Sequence, residues 1–155
     1  MEWIIKKYKD LTIEELYNIL KARNEVFVVE QNCPYQDCDG KDKQAYHLFF
    51  EDNGDVIAYS RILNKGISYD EVSIGRFLVL RKYRGKGLAK EMLLKAIEFI
   101  EESLNEKAIR ISGQVYIKDF YKSFGFEEVS DIYLEDDIPH VEMLYKSANS
   151  ERQAP

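Results

Sequence analysis

The stretch YRGKGLAKEMLLKAIEFIEE, from Tyr83 to Glu102, begins with two glycines among basic residues and continues as an apolar run. Glycine costs a helix about 1 kcal/mol relative to alanine, so Gly85 and Gly87 must serve a purpose other than helix propensity. The run that follows repeats apolar residues at helical spacing, which predicts an amphipathic helix. The glycines therefore form either a tight turn into a core helix or a loop whose bare backbone approaches a ligand.

The loop from Arg84 to Ala89 lies between an apolar strand, Phe77 to Leu80, and that helix. N–H groups at the start of a helix are unpaired and the helix dipole favours an anion, so the loop is a candidate phosphate site. It lacks the G-x-x-x-x-G-K-[ST] motif of P-loop ATPases, and its G-x-G-x-x-G dinucleotide fingerprint is incomplete. A tight turn without a ligand stays open as the alternative.

The residues before this loop predict a strand, a helix and an antiparallel meander. EWIIKKY is a candidate first strand, and the T-x-x-E capping box of Thr12 and Glu15 predicts a helix that starts at Ile13. The polar segment from Gln31 to Gln44 reads as a loop. Three β-rich runs then follow, HLFFE, DVIAYSRIL and VSIGRFLVL, separated by turn sequences.

The residues after the central helix predict two strands around a short helix. AIRISGQV is the first strand, IKDFYKSFG is a helix that ends at Gly125, and VEMLYK is the last strand. The fold class is therefore mixed α/β in a single domain, residues 1–146. The tail, residues 147–155, has little to bury and is expected to be disordered.

Composition excludes several classes of function. The 155 residues carry a net charge of −6, which argues against nucleic-acid binding because that affinity comes largely from phosphate neutralisation. No apolar run reaches the roughly 18 residues that a membrane helix needs, and the first residues do not resemble a signal peptide. We therefore expect no nucleic-acid partner, no membrane contact and a cytoplasmic location.

The two cysteines, Cys33 and Cys38, are expected to be free thiols because disulfides are rare in chains without a secretory leader. Together with His47 they give a weak zinc-like pattern, since no second close pair of ligands follows. We predict no metal. A nucleophilic role for Cys33 has no support from a neighbouring base in the sequence.

The loop Arg84-Gly85-Lys86-Gly87-Leu88-Ala89 fits the Q/R-x-x-G-x-G/A pattern, and with it the chain resembles the GNAT superfamily of N-acetyltransferases. FYKSFGF, from Phe120 to Phe126, resembles the F-Y-x-x-x-G-F helix end of that superfamily. VFVVEQNCPYQDCDG, AYSRIL, IGRFLV and IPHVEM further resemble its ElaA-like branch. The resemblance covers roughly residues 1 to 146 and implies a mixed, mostly antiparallel sheet flanked by helices.

The resemblance also implies acetyl-CoA as cosubstrate. The strand before the loop would pair through its main chain with pantetheine, and the loop N–H groups would hold the pyrophosphate, with charge added by Lys86 and Arg84. A polar residue on the strand of Gln114 often contacts the cofactor in this family. The implied cofactor residues are Phe77, Leu78, Val79, Arg84, Gly85, Lys86, Gly87, Leu88, Ala89 and Gln114.

Tyr121 matches the position where this family places a tyrosine that donates to the departing thiolate. A phenol with a reference pKa of about 10 can donate to a thiolate of pKa about 8.5. The alternative is core packing, since Ile117, Phe120, Tyr121 and Phe124 follow the spacing of a buried helix stripe. Both interpretations stay open at this point.

The base that deprotonates the acceptor has three candidates. His47 and His140 are the two histidines of the chain, and histidine titrates closest to neutral pH. Glu71, near the start of the strand that carries Arg76, stands where some superfamily members have a glutamate base. A histidine beside a strand is often structural, and Glu71 is equally explained as a solvated turn residue.

The leading functional hypothesis is an N-acetyltransferase that acts on a small-molecule or peptide primary amine, as a monomer or homodimer. The alternatives are a non-catalytic acyl-CoA-binding or sensing module and a structural partner protein. The segment from Glu127 to Glu142 is acidic and has no Lys or Arg, which is either a solvated face or a field that attracts cationic acceptors.

Overall fold

A computed structural model describes residues 2–147. Within them, eight strands form a mixed sheet with helices packed on it. The strands are β1 Glu2–Lys7, β2 Tyr46–Asp52, β3 Asp55–Leu63, β4 Val72–Val79, β5 Ala108–Gln114, β6 Glu127–Glu128, β7 Tyr133–Glu135 and β8 Ile138–Lys146. The α-helices are α1 Ile13–Arg23, α2 Leu88–Glu98 and α3 Lys118–Lys122. The first two continue as π-helical segments, Asn24–Glu30 and Phe99–Ser103.

The strand order is β1-β2-β3-β4-β5-β8-β6, and β7 also pairs with β8. β2, β3 and β4 form the predicted antiparallel meander, and the predicted first strand, β1, pairs antiparallel with β2. β6 and β7 were not expected, because the acidic segment that contains them lacks the apolar alternation of a strand. The open sheet with helices on both faces confirms the predicted fold class.

The one parallel junction in the described sheet, between β4 and β5, is short. Val72 pairs with Ile109 and Ser73 with Arg110, and beyond them the two strands part. The register between β3 and β4 shifts between Tyr59 and Arg61, which marks a β-bulge at this point. Arg76 has φ 47° within the bulge. A bulge bends its strand, so the parting strands leave a cleft in the middle of the sheet.

Local signals set the starts of α1 and α2. The capping box is present, since Thr12 Oγ1 accepts from Glu15 N at 3.0 Å and Thr12 N donates to Glu15 Oε1 at 2.8 Å. Gly85 and Gly87 have φ of 79° and 85°, a conformation that other residues adopt only with strain. A Cβ at either glycine would meet nothing within 4 Å, so the turn, rather than crowding, requires glycine in this structure.

The sheet separates two apolar layers. On one face α2 buries Met92, Leu93 and Ala96 and its π-helical continuation buries Ile100 against the central strands, which confirms the predicted amphipathic helix. On the other face α1 and its π-helical continuation pack on β2 to β4 through the buried side chains Ile19, Ala22, Val26, Phe27, Phe49, Tyr59 and Leu78. The two apolar layers therefore pack against opposite faces of the sheet that contains the parted strands.

The prediction for the tail falls mostly outside the described residues, which end at Ser147. Ser147 itself is buried, and its N–H donates to the carbonyl of Lys107 at 2.7 Å. Residues 148–155 lie outside the description. Every helix between residues 2 and 147 is too short or too polar to cross a membrane.

Candidate active site

A cleft of about 920 Å³ opens where β4 and β5 part. Phe77, Leu78 and Val79 of β4 line one wall, as the pantetheine strand was predicted to do. The side chains of Gln114 and Tyr121 line the opposite wall. The cleft is therefore formed by residues far apart in sequence, and the parted strands leave main-chain groups of β4 without a strand partner beyond Ser73 on the β5 side.

The glycine loop ends this cleft and offers unpaired donors. No carbonyl within residues 2–147 accepts a hydrogen bond from the backbone N–H groups of Gly85 to Ala89. These groups stand at the start of α2, where the helix dipole adds positive potential. Arg84 and Ala89 also line the cleft. This arrangement fits a diphosphate, because convergent N–H donors on a bare backbone are what that group requires.

The side chain of Arg84 is bound to the protein itself. Its Nε donates to the carbonyl of Val79 at 2.8 Å, and its two terminal nitrogens lie 2.8 and 2.9 Å from the Glu30 carboxylate. The Arg84 hydrogen bonds lower the pKa of Glu30 below its ordinary value. The prediction that Arg84 adds free positive charge is corrected: Glu30 neutralises it, and the guanidinium anchors the loop. Lys86 Nζ lies 5.5 Å from the Tyr83 ring centroid.

Tyr121 belongs to the core and also lines the cleft, so its position is compatible with both interpretations. Its side chain is 5% exposed and contacts the rings of Phe77, Phe120 and Phe126, so it belongs to the core. Gly113 lies against the same ring, where a Cβ would sit 3.4 Å from it. Tyr121 also lines the cleft. Burial raises the pKa of the phenol, which keeps it protonated.

His140 lines the cleft, and its contacts show which ring nitrogen carries the hydrogen when the ring is neutral. Its Nδ1 is 2.7 Å from the carbonyl oxygen of Ile138, which can only accept, so Nδ1 carries the hydrogen. In the neutral ring Nε2 then has a lone pair. Nε2 lies 3.3 Å from Glu135 Oε2, and the ring stacks on Tyr133. Both ring nitrogens thus face acceptor oxygens, and a proton taken up at Nε2 would form an ion pair with Glu135.

His47 is enclosed elsewhere. It is fully buried, its Nδ1 lies 2.7 Å from the hydroxyl of Tyr59, and its Nε2 lies 2.9 Å from the carbonyl of Asp42. Burial lowers its pKa below the ordinary value, although the Asp42 carbonyl opposes this shift. The prediction of His47 as a base is therefore corrected, because neither nitrogen is free to meet a substrate.

Glu71 is also paired with another side chain, that of Arg110. Its two carboxylate oxygens lie 2.9 and 3.2 Å from Arg110, and these hydrogen bonds lower its pKa below the ordinary value. Glu71 is not among the residues that line the cleft. Its prediction as a base is corrected for the same reason as that of His47: a lowered pKa weakens the base, and its lone pairs already have donors.

Gln114 does face the cleft, and it has a partner that the sequence did not reveal. Gln31 Nε2 donates to Gln114 Oε1 at 3.1 Å, and Gln114 Nε2 donates back at 3.4 Å. The two side chains join the end of β5 to the segment that follows α1. Because 83 residues separate them, no local pattern could have indicated this pair.

The polar segment predicted as a loop is held in place by an arginine network. We use this name for Arg23, Arg61 and Arg76 with Asp37, Asp39 and Asp42. Arg23, with no exposed surface, binds Asp37 at 2.8 Å and Asp42 at 2.7 Å. Arg61 binds Asp39 and Asp42 at 2.8 and 2.9 Å. The sequence missed this network because its arginines lie on α1, β3 and β4, whereas its aspartates lie in one loop.

The cysteines are free thiols, as predicted, with Cys33 buried at the cleft wall and Cys38 exposed. Cys33 Sγ lies 3.6 Å from the carbonyl oxygen of Asp136. Within the described part of the chain, no three His, Cys, Asp or Glu side chains are grouped to hold a metal ion.

The parted sheet and the glycine loop at the start of α2 define the class of protein: an acyl-CoA N-acyltransferase fold of the GNAT type. Residues 7–147 match the family model described as acetyltransferase (GNAT) domain. The chain is 37% identical over 145 residues to Protein ElaA of Escherichia coli strain K12, covering 92% of this chain and 95% of that protein. The chain therefore belongs to the GNAT family, in its ElaA-like branch.

Solved structures agree with this assignment. Escherichia coli ElaA has a TM-score of 0.88 at 37% identity, covering 94% of this chain and 100% of that one. An acyl-CoA N-acyltransferase from Pseudomonas aeruginosa gives the same TM-score of 0.88 and identity of 37%, covering 94% of this chain and 99% of that one. An aminoglycoside 6'-N-acetyltransferase complexed with coenzyme A, at 11% identity and TM-score 0.69, shares the fold, covering 92% of this chain and 96% of that one.

Proposed function

We propose that this protein transfers an acetyl group from acetyl-CoA to a primary amine by direct attack in a ternary complex. The observation that carries the proposal is that one cleft is lined by Arg84 and Ala89, at the two ends of the loop with free N–H groups, and by two groups able to move protons, Tyr121 and His140. Membership of the family supports acyl transfer in general. The acetyl group, the amine and the residue roles are our inference.

The cofactor half would be recognised mainly by backbone. The N–H groups of Gly85 to Ala89 would bind the diphosphate, while the unpaired edge of β4 would bind the pantetheine amides. Ion pairing of Arg84 with Glu30 keeps the loop attached to the π-helical segment after α1. The loop is thereby organised before the cosubstrate arrives, which lowers the entropy cost of binding.

His140 is the proposed base. An alkylamine has a pKa of about 10.4 and must lose a proton before it can attack a thioester. The Ile138 carbonyl fixes the hydrogen on Nδ1, so Nε2 is available to take that proton, directly or through a water. A C–N bond then forms at the acetyl carbonyl as the C–S bond breaks, and the proton that the attacking nitrogen loses in this step passes to the departing thiolate, directly or through a water.

Tyr121 is the proposed donor to the departing sulfur. Its hydroxyl stays protonated, because burial raises the pKa of the phenol further above that of a thiol. Hydrogen bonding to the developing thiolate is therefore favoured over early proton transfer. The aromatic contacts of its ring hold the hydroxyl in a fixed direction.

The second candidate function is a non-catalytic acyl-CoA-binding or sensing module, which would use the same loop without the chemistry. Tyr121 and His140 on the same cleft favour catalysis over this alternative, because each is a group that can move a proton there. A small-molecule or peptide acceptor, a cytoplasmic location and a monomeric or homodimeric state stay predictions.

The test is release of free thiol from acetyl-CoA across a panel of amines, amino acids and peptides. Tyr121→Phe removes only the hydroxyl, so we expect kcat to fall by about a hundredfold or more with little change in melting temperature. Tyr17→Phe on exposed α1 is the matched control and should behave as wild type. Binding of acetyl-CoA without turnover of any acceptor would favour the non-catalytic module.

A further inference from the structure

Two glutamine side chains join the walls of the cleft. Gln31 follows the π-helical segment after α1, which packs on β2 to β4, whereas Gln114 ends β5. At Gln114 the strands β4 and β5 have already parted, since their last pair is Ser73 with Arg110. Both glutamines line the cleft, and their amides are hydrogen-bonded to each other. The pair therefore connects the two parts of the molecule that the cleft separates.

Gln114 stands next to the proposed base. Side chains alternate along a strand, so Ile111 and Gly113 face the α2 core and Gln114 faces the opposite side of the sheet. In the register of β5 and β8, Gln114 stands directly opposite His140, whose neighbour Val141 faces the α2 core. Opposed residues of antiparallel strands have Cβ atoms about 4.5 to 5.5 Å apart. The Gln114 and His140 side chains therefore leave the sheet side by side, on the same face.

The backbone of Gln31 is fixed where its side chain enters the cleft. Its N–H donates to the carbonyl of Val26 at 3.2 Å, and the N–H of Cys33 donates to the carbonyl of Val28 at 3.0 Å. Both bonds run to the fifth residue before the donor, as in a π-helix. The Cys33 thiol also lies 3.6 Å from the carbonyl oxygen of Asp136, another residue that lines the cleft. The segment that carries Gln31 is therefore attached on both sides of it.

The two amides keep part of their hydrogen-bonding capacity for a ligand. Gln31 Nε2 donates to Gln114 Oε1 at 3.1 Å, and Gln114 Nε2 donates to Gln31 Oε1 at 3.4 Å. A glutamine amide has two N–H donors and an oxygen with two lone pairs. The pair uses one donor and one lone pair of each amide, so Gln114 Oε1 has a second lone pair that this pair does not use. Gln31 also determines which way the Gln114 amide points, because reversing it alone would place oxygen against oxygen.

We propose that Gln114 Oε1 accepts a hydrogen from the reacting amine and that Gln31 is the positioning residue that directs this oxygen. The inference rests on the proposed function and goes beyond it by assigning the group that orients the acceptor nitrogen. Gln114 suits this role because it lies beside His140, the proposed base, and because its partner comes from the other wall of the cleft.

The hydrogens of the amine give this contact a consequence for specificity. Once His140 has taken a proton from the ammonium form, a primary amine has two hydrogens and one lone pair. The lone pair attacks the thioester carbonyl, one hydrogen passes as a proton to the departing thiolate, and the other stays on the nitrogen of the amide product. Gln114 Oε1 would bind the hydrogen that stays. A secondary amine has no such hydrogen, so the contact favours primary amines.

The test is a double-mutant cycle of Gln31→Ala and Gln114→Ala, assayed by thiol release with the primary amine that the wild type uses best. Each single variant should lower kcat/KM for the amine about tenfold, the effect of losing about one hydrogen bond, and leave the KM for acetyl-CoA within about twofold. Because Gln31 acts through Gln114, the double variant should match Gln114→Ala within about twofold. Gln44→Ala, at an exposed glutamine outside the cleft lining, is the matched control. Melting temperatures check the fold.

The N-methyl derivative of the same amine identifies the hydrogen that is bound. The derivative cannot donate the hydrogen that stays, so Gln114→Ala should leave its kcat/KM within about twofold of the wild-type value. The preference of the enzyme for the primary amine should therefore fall about tenfold in this variant. An equal loss for both amines would overturn the inference.

The remaining outcomes separate the inference from the proposed function. Single-variant effects that multiply in the double variant, or single variants as active as the wild type, would overturn the inference while acetyl transfer stands. A raised KM for acetyl-CoA would place Gln114 against the cosubstrate, as the family resemblance implies, and would also overturn it. Absence of turnover of every amine by the wild type would remove the proposed function and this inference with it.

Discussion

The two histidines of this chain lie in regions built from similar residue types, yet those regions differ in one physical respect. Around His47 the arginine network and Tyr59 use their polar atoms on one another, and the imidazole has a partner at each nitrogen. His140 instead lines the cleft. The carbonyl of Ile138 lies at its Nδ1, and the Glu135 carboxylate, which is 55% exposed, lies beside its Nε2.

The region around His47 is closed, whereas that around His140 opens to the cleft. Buried charges are stable only when partners satisfy them, and apart from Arg61 Nε and Arg76 Nε, which have no hydrogen-bond partner within residues 2–147, the arginine network pairs its charges within itself. It holds the segment after α1 as one wall of the cleft. The glycine loop, by contrast, keeps its N–H donors free, which makes it a candidate binding surface.

The largest effect should come from exchanging each histidine in turn for glutamine. If His140 is the base, His140→Gln should lower kcat/KM by about a hundredfold to ten-thousandfold with little loss of stability. His47→Gln should instead lower the free energy of unfolding by about 1 to 3 kcal/mol, because buried partners lose a hydrogen bond, and leave kcat per folded molecule nearly unchanged. Thiol-release kinetics and urea unfolding measure the two quantities. Reversed outcomes would exchange the roles that we assign to the two regions.

A smaller effect is expected at the glycine loop. Gly87→Glu places an anion among the free N–H groups, so acetyl-CoA affinity should fall by about a hundredfold, since like charges brought together cost several kcal/mol. Gly87→Asn is the matched control, because asparagine tolerates the left-handed φ of 85° without adding charge. Calorimetry measures binding, and circular dichroism checks the fold. Equal affinities for the two variants would mean that the loop is only a turn.

The smallest effect concerns the pH dependence of the free energy of unfolding and tests the region around His47. The pKa of His47 is lowered in the folded protein, whereas in the unfolded chain it is about 6.5. As pH falls below about 6.5, the unfolded chain therefore binds a proton that the folded protein refuses, and the free energy of unfolding decreases by up to about 1.4 kcal/mol per pH unit. Above about pH 6.5 the stabilising contribution of neutral His47 is fully present.

The His47→Gln variant should lack this part of the slope when urea unfolding is repeated between about pH 7 and pH 5. Asp39 and Asp42 also have lowered pKa values, because hydrogen bonds from Arg61 and Arg23 outweigh burial. Their contribution is present above an unfolded pKa of about 3.9 and is lost only at lower pH. Parallel wild-type and variant curves would show that His47 does not stay neutral in the folded protein.

Local signals in the sequence were sufficient for most elements. The capping box of Thr12 and Glu15 gave the first residue of α1, and the apolar stripe of α2 gave its buried face. Gly87 indicated the turn before α2 because few other residues adopt its φ. These predictions held because each depends on neighbours within a few residues, where the chain's own geometry determines the contact.

The choice between His47 and His140 could not be made from the sequence, since both stand in polar settings beside β-strands. The same is true of Glu71, whose partner Arg110 is 39 residues away, and of Gln31 with Gln114. Whether a polar side chain is hydrogen-bonded within the protein or available to a ligand depends on partners from distant segments. Those partners meet only when the sheet forms. The sequence determined the elements and the glycine loop; the tertiary structure decided which polar groups face the cleft unpaired, because burial and partnership are properties of the packed fold.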